Sequence, residues 1–176
     1  MPAPPPPPGL VSLRLPKSLE NEADGAAVHA ALRANARPLW TRGVLLVPSA
    51  GWTPAVAAAL DAANAGGSVV RGLEQVEKAL QREARGLSMA DARSASPRGA
   101  RVSRLLLVSN DGSERFYRNV EQLVTANGQR LLPIRVDADS AQFASAVREA
   151  SGVVRALMVD HKELVVTVLR ALYAGA

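Results

Sequence analysis

Between residues 54 and 174, short apolar segments alternate with longer segments in which apolar residues recur at helical spacing. The resulting order is helix, strand, helix, strand, helix, strand, helix, strand, helix. Four strands separated by helices are typical of an α/β fold, in which helices cover a sheet. The segment 103–108, Ser-Arg-Leu-Leu-Leu-Val, is strongly apolar and is therefore predicted to be a central strand.

Several helices are preceded by a polar residue of the kind that accepts hydrogen bonds from a first helical turn. Asp160, with Glu163 three residues later, has the spacing of a capping box and predicts the start of the last helix. The other predicted caps are Thr53, Ser113, Asp137 and Asp139.

The most informative motif is Gly72-Leu73-Glu74-Gln75-Val76-Glu77-Lys78, which follows the short apolar segment 68–70 and begins a helix. Strand, glycine and helix in this order resemble the kink-turn-binding ribosomal protein superfamily, the seven-Ae and thirty-e group. The resemblance extends over roughly residues 54 to 174. The family motif is Gly-x-Asn-Glu-x-Thr-Lys, so Gly72 and Lys78 match it, while Glu74, Gln75 and Glu77 replace Asn, Glu and Thr.

The resemblance implies a three-layer α/β/α sandwich with a small mixed four-stranded sheet. It also implies RNA binding where the second helix begins, because glycine permits close approach and a helix N-terminus attracts phosphate. Since Glu74 offers only acceptors, we expect an RNA other than a standard kink-turn. The turn 109–115 is more similar to the bacterial members. The RNA-binding residues implied are Arg71, Gly72, Glu74, Gln75 and Lys78, with Val153, Val154 and Arg155 in the facing loop.

A simpler interpretation of the same residues stays open. Gly152 could merely end a helix, with Val153 and Val154 both entering the core. Arg71 and Lys78 could then be ordinary solvated charges.

Nearly all of the net charge of +5 lies between residues 82 and 104, which contain six arginines and only two acidic residues, Glu83 and Asp91. Residues 83–100 fall where the family has a tight connection, so we predict a flexible, Arg-rich insertion. The pI of about 10.4 favours a polyanionic partner, although Arg and Ala in abundance also follow from genomic base composition. In this segment Arg93, Arg98 and Arg101 are predicted to contact RNA; the alternative is a solvated linker.

Residues 1–50 are predicted to form a Pro-rich tail and an extension, ahead of an RNA-binding domain at 51–176. The polyproline run favours a stiff tail and is incompatible with a secretory signal. Residues 43–47 predict a strand that ends at Pro48 and either pairs with the sheet edge or packs on a neighbouring protein. Basic residues precede the first acidic residue, Glu20, which favours the mitochondrion; cytoplasm and nucleolus are the alternatives.

Residue types needed for catalysis are scarce. The chain has no Cys and two His, so thiol chemistry is excluded and neither a metal site nor a cofactor is expected. It lacks a Gly-x-Ser-x-Gly elbow, a phosphate loop and an apolar run of membrane length.

We therefore predict a non-catalytic RNA-binding structural component of a ribosome or related ribonucleoprotein particle. Its expected partners are structured RNA and neighbouring proteins, with no membrane. Two alternatives stay open. One is a protein-interaction module on the same fold without direct RNA contact. The other is a small α/β enzyme that uses Ser109, Asp160 and His161.

Overall fold

A computed structural model of the chain describes residues 13–93 and 101–174, without the side chains of 91–93. The elements, in chain order, are α1 (Lys17–Glu20), α2 (Ala23–Ala34), β1 (Ala36–Pro38), β2 (Leu46–Gly51), α3 (Pro54–Ala65), β3 (Val69–Arg71), α4 (Leu73–Arg93), β4 (Arg104–Val108), α5 (Glu114–Asn127), a 3-10 turn (Gly128–Arg130), β5 (Leu131–Asp137), α6 (Ser140–Ala146), β6 (Ala156–Val159) and α7 (Lys162–Leu172). None of the helices described is long and apolar enough to cross a membrane.

The strands form one mixed sheet in the order β1-β2-β5-β4-β6-β3. Strands β2, β5 and β4 run parallel, β6 is antiparallel to β4, and β3 is antiparallel to β6. The α/β class is confirmed, whereas the prediction of four strands is wrong. The two additional strands, β1 and β2, come from residues 36–51 and continue the sheet beyond β5.

Strand β2 also continues through Pro48, where the sequence predicted its end. The amide of Ser49 donates to the carbonyl of Asn35 at 2.9 Å, so the preceding residue occupies a position whose nitrogen points away from β1. On the other side, pairing with β5 begins only at Ser49. Proline therefore removes no ladder hydrogen bond at position 48.

Alternate side chains of the strands enter two separate hydrophobic clusters, one on each face of the sheet. Leu105 and Leu107 of β4 pack with side chains of α2, α3, α6 and α7. Leu106 and Val108 pack with side chains of α4 and α5 on the opposite face. All four leave no measurable surface exposed, so β4 is the central strand that the sequence predicted.

Three of the predicted caps are confirmed. Thr53 accepts from the amide of Val56 at 3.2 Å, and Ser113 accepts from that of Phe116 at 3.1 Å. Asp139 forms a full capping box with Gln142.

Two predicted caps are wrong. Asp137 is the last residue of β5. At the start of α7 the cap is His161, whose Nδ1 accepts from the amide of Glu163 at 3.3 Å. Asp160 lies one residue before this cap, and its amide donates to the Ser68 carbonyl, which continues the β3–β6 pairing by one residue.

Residues 83–93 are helical, which corrects the prediction that the flexible insertion begins at residue 83. Ala, Leu, Met, Glu and Arg dominate this segment and all favour a helix, so Gly86 alone does not end it. Glu83 anchors the helix by accepting from Arg104 at 2.9 Å and from Arg130 at 3.2 Å. None of the side chains from 84 to 90 is buried, and residues 94–100 lie outside the part of the chain that the structure describes.

Candidate nucleic-acid interface

The turn from β3 into α4 is made by Gly72 in a left-handed conformation, with φ at +84°. Its carbonyl accepts from Val76 at 3.0 Å as the helix begins, and its amide donates to Ala156 of β6 at 2.8 Å. A Cβ added here would meet nothing within 4 Å, so the space above the turn is open. Glycine is therefore favoured by the backbone and leaves the helix N-terminus accessible.

A groove of about 370 Å³ opens beside this turn. It brings together two segments that the sequence predicted to bind RNA, since β3 pairs with β6 and the facing loop leads into β6. The predicted residues that line the groove are Arg71, Gly72, Val153, Val154 and Arg155.

The two valines of this loop have different environments. Val153 is 49% exposed, whereas Val154 is 5% exposed and belongs to the core cluster. The amide of Val154 also donates to Ser140 at 3.1 Å, which ties the loop to α6. The interpretation that both valines enter the core thus holds only for Val154.

Phe116 lines the same groove and was not among the predicted site residues. It lies in the first turn of α5, half-buried, with its ring edge-on to that of Tyr117 at 5.4 Å between centroids. It also lines an adjoining groove of about 640 Å³ between α4 and α5. Helical spacing places Phe116 on the same side of α5 as Val120 and Val124, but those two are buried whereas Phe116 remains partly accessible.

Arg71 is engaged within the protein. Its guanidinium donates to the Glu149 carboxylate and to the Asn64 side-chain oxygen, both at 2.8 Å. The hydrogen bond from Arg71, with that from the Ser151 amide, holds the pKa of Glu149 below its ordinary value. Asn64 in turn donates to the Val147 carbonyl, so Arg71 connects α3, β3 and the loop after α6.

The other predicted residues of α4 lie on its exposed first turns. Lys78 and Glu74 form an i,i+4 ion pair at 2.9 Å, and Gln75 is exposed. Glu74 and Glu77 both line the groove between α4 and α5, together with Arg115. The helix N-terminus is thus flanked by carboxylates as well as by cations.

Arg155 is exposed and lies near Asp111, whose pKa it helps to lower. Burial raises the pKa of Asp111, but hydrogen bonds outweigh this effect, so the pKa lies below its ordinary value. The hydroxyls of Ser109 and Ser140 each donate to this carboxylate at 2.7 Å, and the Ser140 amide donates at 3.1 Å. Asp111 therefore joins the β4–α5 turn to the start of α6.

Of Arg93, Arg98 and Arg101, the structure describes the side chain of Arg101, which lies away from this interface. Arg101 precedes β4, at the opposite edge of the sheet from Gly72, where its guanidinium contacts the Glu20 carboxylate and donates to the Leu15 carbonyl at 3.0 Å. Any RNA contact of Arg101 would therefore be separate from the groove beside Gly72, and its predicted RNA binding stays a prediction. The side chains of Arg93 and Arg98 lie outside the described residues.

The residues of the hydrolase alternative are separated as well. Ser109 follows the end of β4, and His161 with Asp160 follows the end of β6, which is antiparallel to β4. The serine is thus at the opposite edge of the sheet from the other two. No group of three or more His, Asp or Glu within the described residues is placed to hold a metal ion.

Comparison with known proteins shows little similarity. No family model and no curated protein matches the sequence. A solved structure of a protein of unknown function from Bacillus halodurans is similar over 64% of this chain and 95% of that chain, with a TM-score of 0.42 and 16% identity. This likeness is too weak to bear on function.

Proposed function

We propose that this protein is a non-catalytic RNA-binding component of a ribosome or related ribonucleoprotein particle. It binds structured RNA at the groove beside Gly72. The observation that carries the proposal is the open, left-handed glycine at the start of α4, facing the loop with Val153 and Arg155.

The backbone of this site suits a phosphate group. Amides in the first turn of α4 have no partner within the helix, and the helix dipole favours negative charge at this end. Because Gly72 has no Cβ, a phosphate can approach these amides closely. Arg155 and Arg115 add positive charge nearby.

The apolar walls of the groove suit an unstacked nucleobase. Val153 and Phe116 both line the groove, and single-stranded bases commonly bind by stacking on aromatic side chains such as Phe116. Glu74 offers acceptors for an exocyclic amino group of a base. We therefore expect the site to recognise a folded RNA more through its shape and base edges than through successive phosphates.

The protein-interaction alternative has its own support. Arg71 and Lys78, two of the cations expected to hold phosphate, are both paired with carboxylates of this chain. A surface with this charge balance also suits a polar protein partner.

Crosslinking in living cells, with sequencing of the bound RNA and mapping of the crosslinked peptides, separates the two functions. RNA binding predicts crosslinks within residues 71–78, 115–116 and 151–155. Recovery of a stable protein complex without RNA crosslinks at any of these residues would instead establish the protein-interaction module.

A further inference from the structure

A second cleft, of about 650 Å³, opens where β2 and β5 end. The parallel strands β2, β5 and β4 all end at this edge of the sheet. From β4 the chain continues into α5 on one face, and from β5 into α6 on the other. In open α/β sheets, ligands bind in the crevice outside the carboxyl ends of such strands.

The cleft contains a carboxylate held in place. Asp137, the last residue of β5, accepts from the side-chain amide of Asn110 at 2.8 Å. The amide nitrogen of Asn110 donates to Ala138 at 2.8 Å, which fixes the two loops relative to each other. The second carboxylate oxygen of Asp137 accepts no hydrogen bond from the described residues. A fixed carboxylate at a strand end is suited to accept hydrogen bonds from a ribose diol.

A cation lies on the same face of the strand. Arg135 precedes Asp137 by two residues, and its guanidinium lies over the ring of Tyr117 at 5.6 Å. It forms no ion pair with any carboxylate among the described residues. Ring contact restrains the guanidinium without neutralising it, so it retains its capacity for a bidentate phosphate contact.

The remaining wall is made of small and apolar residues. Ala50, Gly51 and Leu172 line it, and a Cβ added at Gly51 would meet nothing within 4 Å. This wall has room for a flat heterocycle. Asn35 lines it too. Its side-chain nitrogen donates to the Ala31 carbonyl, so its side-chain oxygen is left to accept from an exocyclic amino group.

We infer that this cleft binds one nucleotide unit bearing a heterocycle, a free ribose cis-diol and a single phosphate. Such a unit is either a free mononucleotide or the 3′-terminal residue of an RNA. Among the described residues that line the cleft, Arg135 is the one cation, so the cleft suits one phosphate instead of a continuous strand. The inference is independent of RNA binding beside Gly72.

The test is a titration of the ¹⁵N-labelled full chain with adenosine monophosphate, followed by NMR. We expect saturable shifts of the amides of Gly51, Asn110 and Asp137. Adenosine and 2′-deoxyadenosine monophosphate should each bind about tenfold more weakly, since each lacks one charge-assisted hydrogen-bonding group. No saturable shift at these amides at millimolar nucleotide would overturn the inference.

Substitutions test which residues contact the nucleotide. Asp137→Asn and Arg135→Gln should each weaken nucleotide binding about tenfold and retain a dispersed spectrum. The matched controls Glu163→Gln and Arg82→Gln, both exposed and far from the cleft, should bind as the unchanged chain does. Equal binding by Asp137→Asn and its control would contradict the role of the carboxylate.

Short RNAs distinguish the two sources. Suppose that an RNA ending in a 3′-hydroxyl competes with the nucleotide at Gly51 and the same RNA ending in a 3′-phosphate does not. The ligand of the cleft is then the 3′ end of an RNA. Competition by neither RNA, with nucleotide binding intact, identifies a free nucleotide. Equal competition by both would show that the diol is not recognised and would overturn the inference.

Discussion

The guanidinium of Arg71 lies 2.8 Å from the carboxylate of Glu149, and this ion pair joins β3 to the loop that follows α6. Both residues line the groove beside Gly72. Arg71 therefore holds the groove in shape, and its charge is largely compensated before any RNA arrives.

Replacing Glu149 should strengthen RNA binding. Glu149→Gln keeps a hydrogen-bond acceptor for Arg71 but removes the negative charge, so we expect a severalfold gain in RNA affinity at low salt. Fluorescence anisotropy with the RNA recovered by crosslinking measures it. Glu163→Gln, on the far edge of the sheet, should leave the affinity unchanged. Weaker binding by Glu149→Gln would show that the loop geometry depends on the full ion pair.

A side chain at Gly72 should block RNA. We expect Gly72→Leu to lose most of its RNA affinity because the new side chain occupies the open approach to α4. Any residue with a Cβ in this left-handed conformation also lowers the stability of the fold by about 1–2 kcal/mol. Gly67→Leu is the matched control, since Gly67 has φ +74° and similarly open surroundings but precedes β3. Equal RNA affinities for the two variants would place the RNA site elsewhere.

Phe116 should contribute to binding more than its neighbours on α5. Phe116→Ala removes a stacking surface and should reduce RNA affinity by about 1–3 kcal/mol, the range found for stacked bases. Leu123→Ala, a second half-buried residue of the same helix, should lower thermal stability with no such loss of affinity. A smaller effect on binding at Phe116 than at Leu123 would exclude stacking.

Asp111 should make the stability of the fold depend on pH in acid. Burial raises its pKa, but the hydrogen bonds from Ser140 and Ser109 outweigh this, so the folded-state pKa lies below the unfolded one. The stabilisation is complete above the unfolded pKa of about 3.9 and is lost as pH falls through the folded pKa. We expect the urea concentration at the unfolding midpoint to fall as the pH is lowered from about 5 to about 2.

Asp111→Asn is the comparison for this prediction. It should be less stable than the unchanged chain at neutral pH, and the difference should shrink as the pH falls. Glu20 and Glu149 also have lowered pKa values, so the variant should retain part of the acid dependence. A constant difference across the whole range would show that the Asp111 charge does not stabilise the fold.

Local signals in the sequence were sufficient for the central strand, for the caps at Thr53, Ser113 and Asp139, and for the glycine turn. They failed where distant segments meet. Pairing of the strand predicted at 43–47 with a sheet edge was one of two expected outcomes, but no local pattern contains its partner β5 or its bounds, Leu46–Gly51. The helix beyond Glu83 was missed because abundant Arg and Ser suggested a loop, although the propensities of 83–93 favour a helix.

The candidate site was recovered in the same uneven way. Gly72 and the loop 151–155 do lie together, as the resemblance implied. The partners of Arg71 could not be predicted, because Glu149 and Asn64 approach it only once α3, β3 and the loop after α6 have packed. Phe116 was missed because helical periodicity assigns residues to the apolar face of a helix but does not show which of them remain accessible after packing.

The parallel pairing of Ser49 with Arg135 has a consequence for the order in which the molecule is made. Synthesis proceeds at about 5–20 residues per second, so β2 leaves the ribosome several seconds before β5 does. During that interval β2 has no parallel partner, and its apolar residues can pack only against earlier segments such as β1 and α2. The sheet of this protein therefore closes only after β5 has emerged, so an early strand waits for a later one.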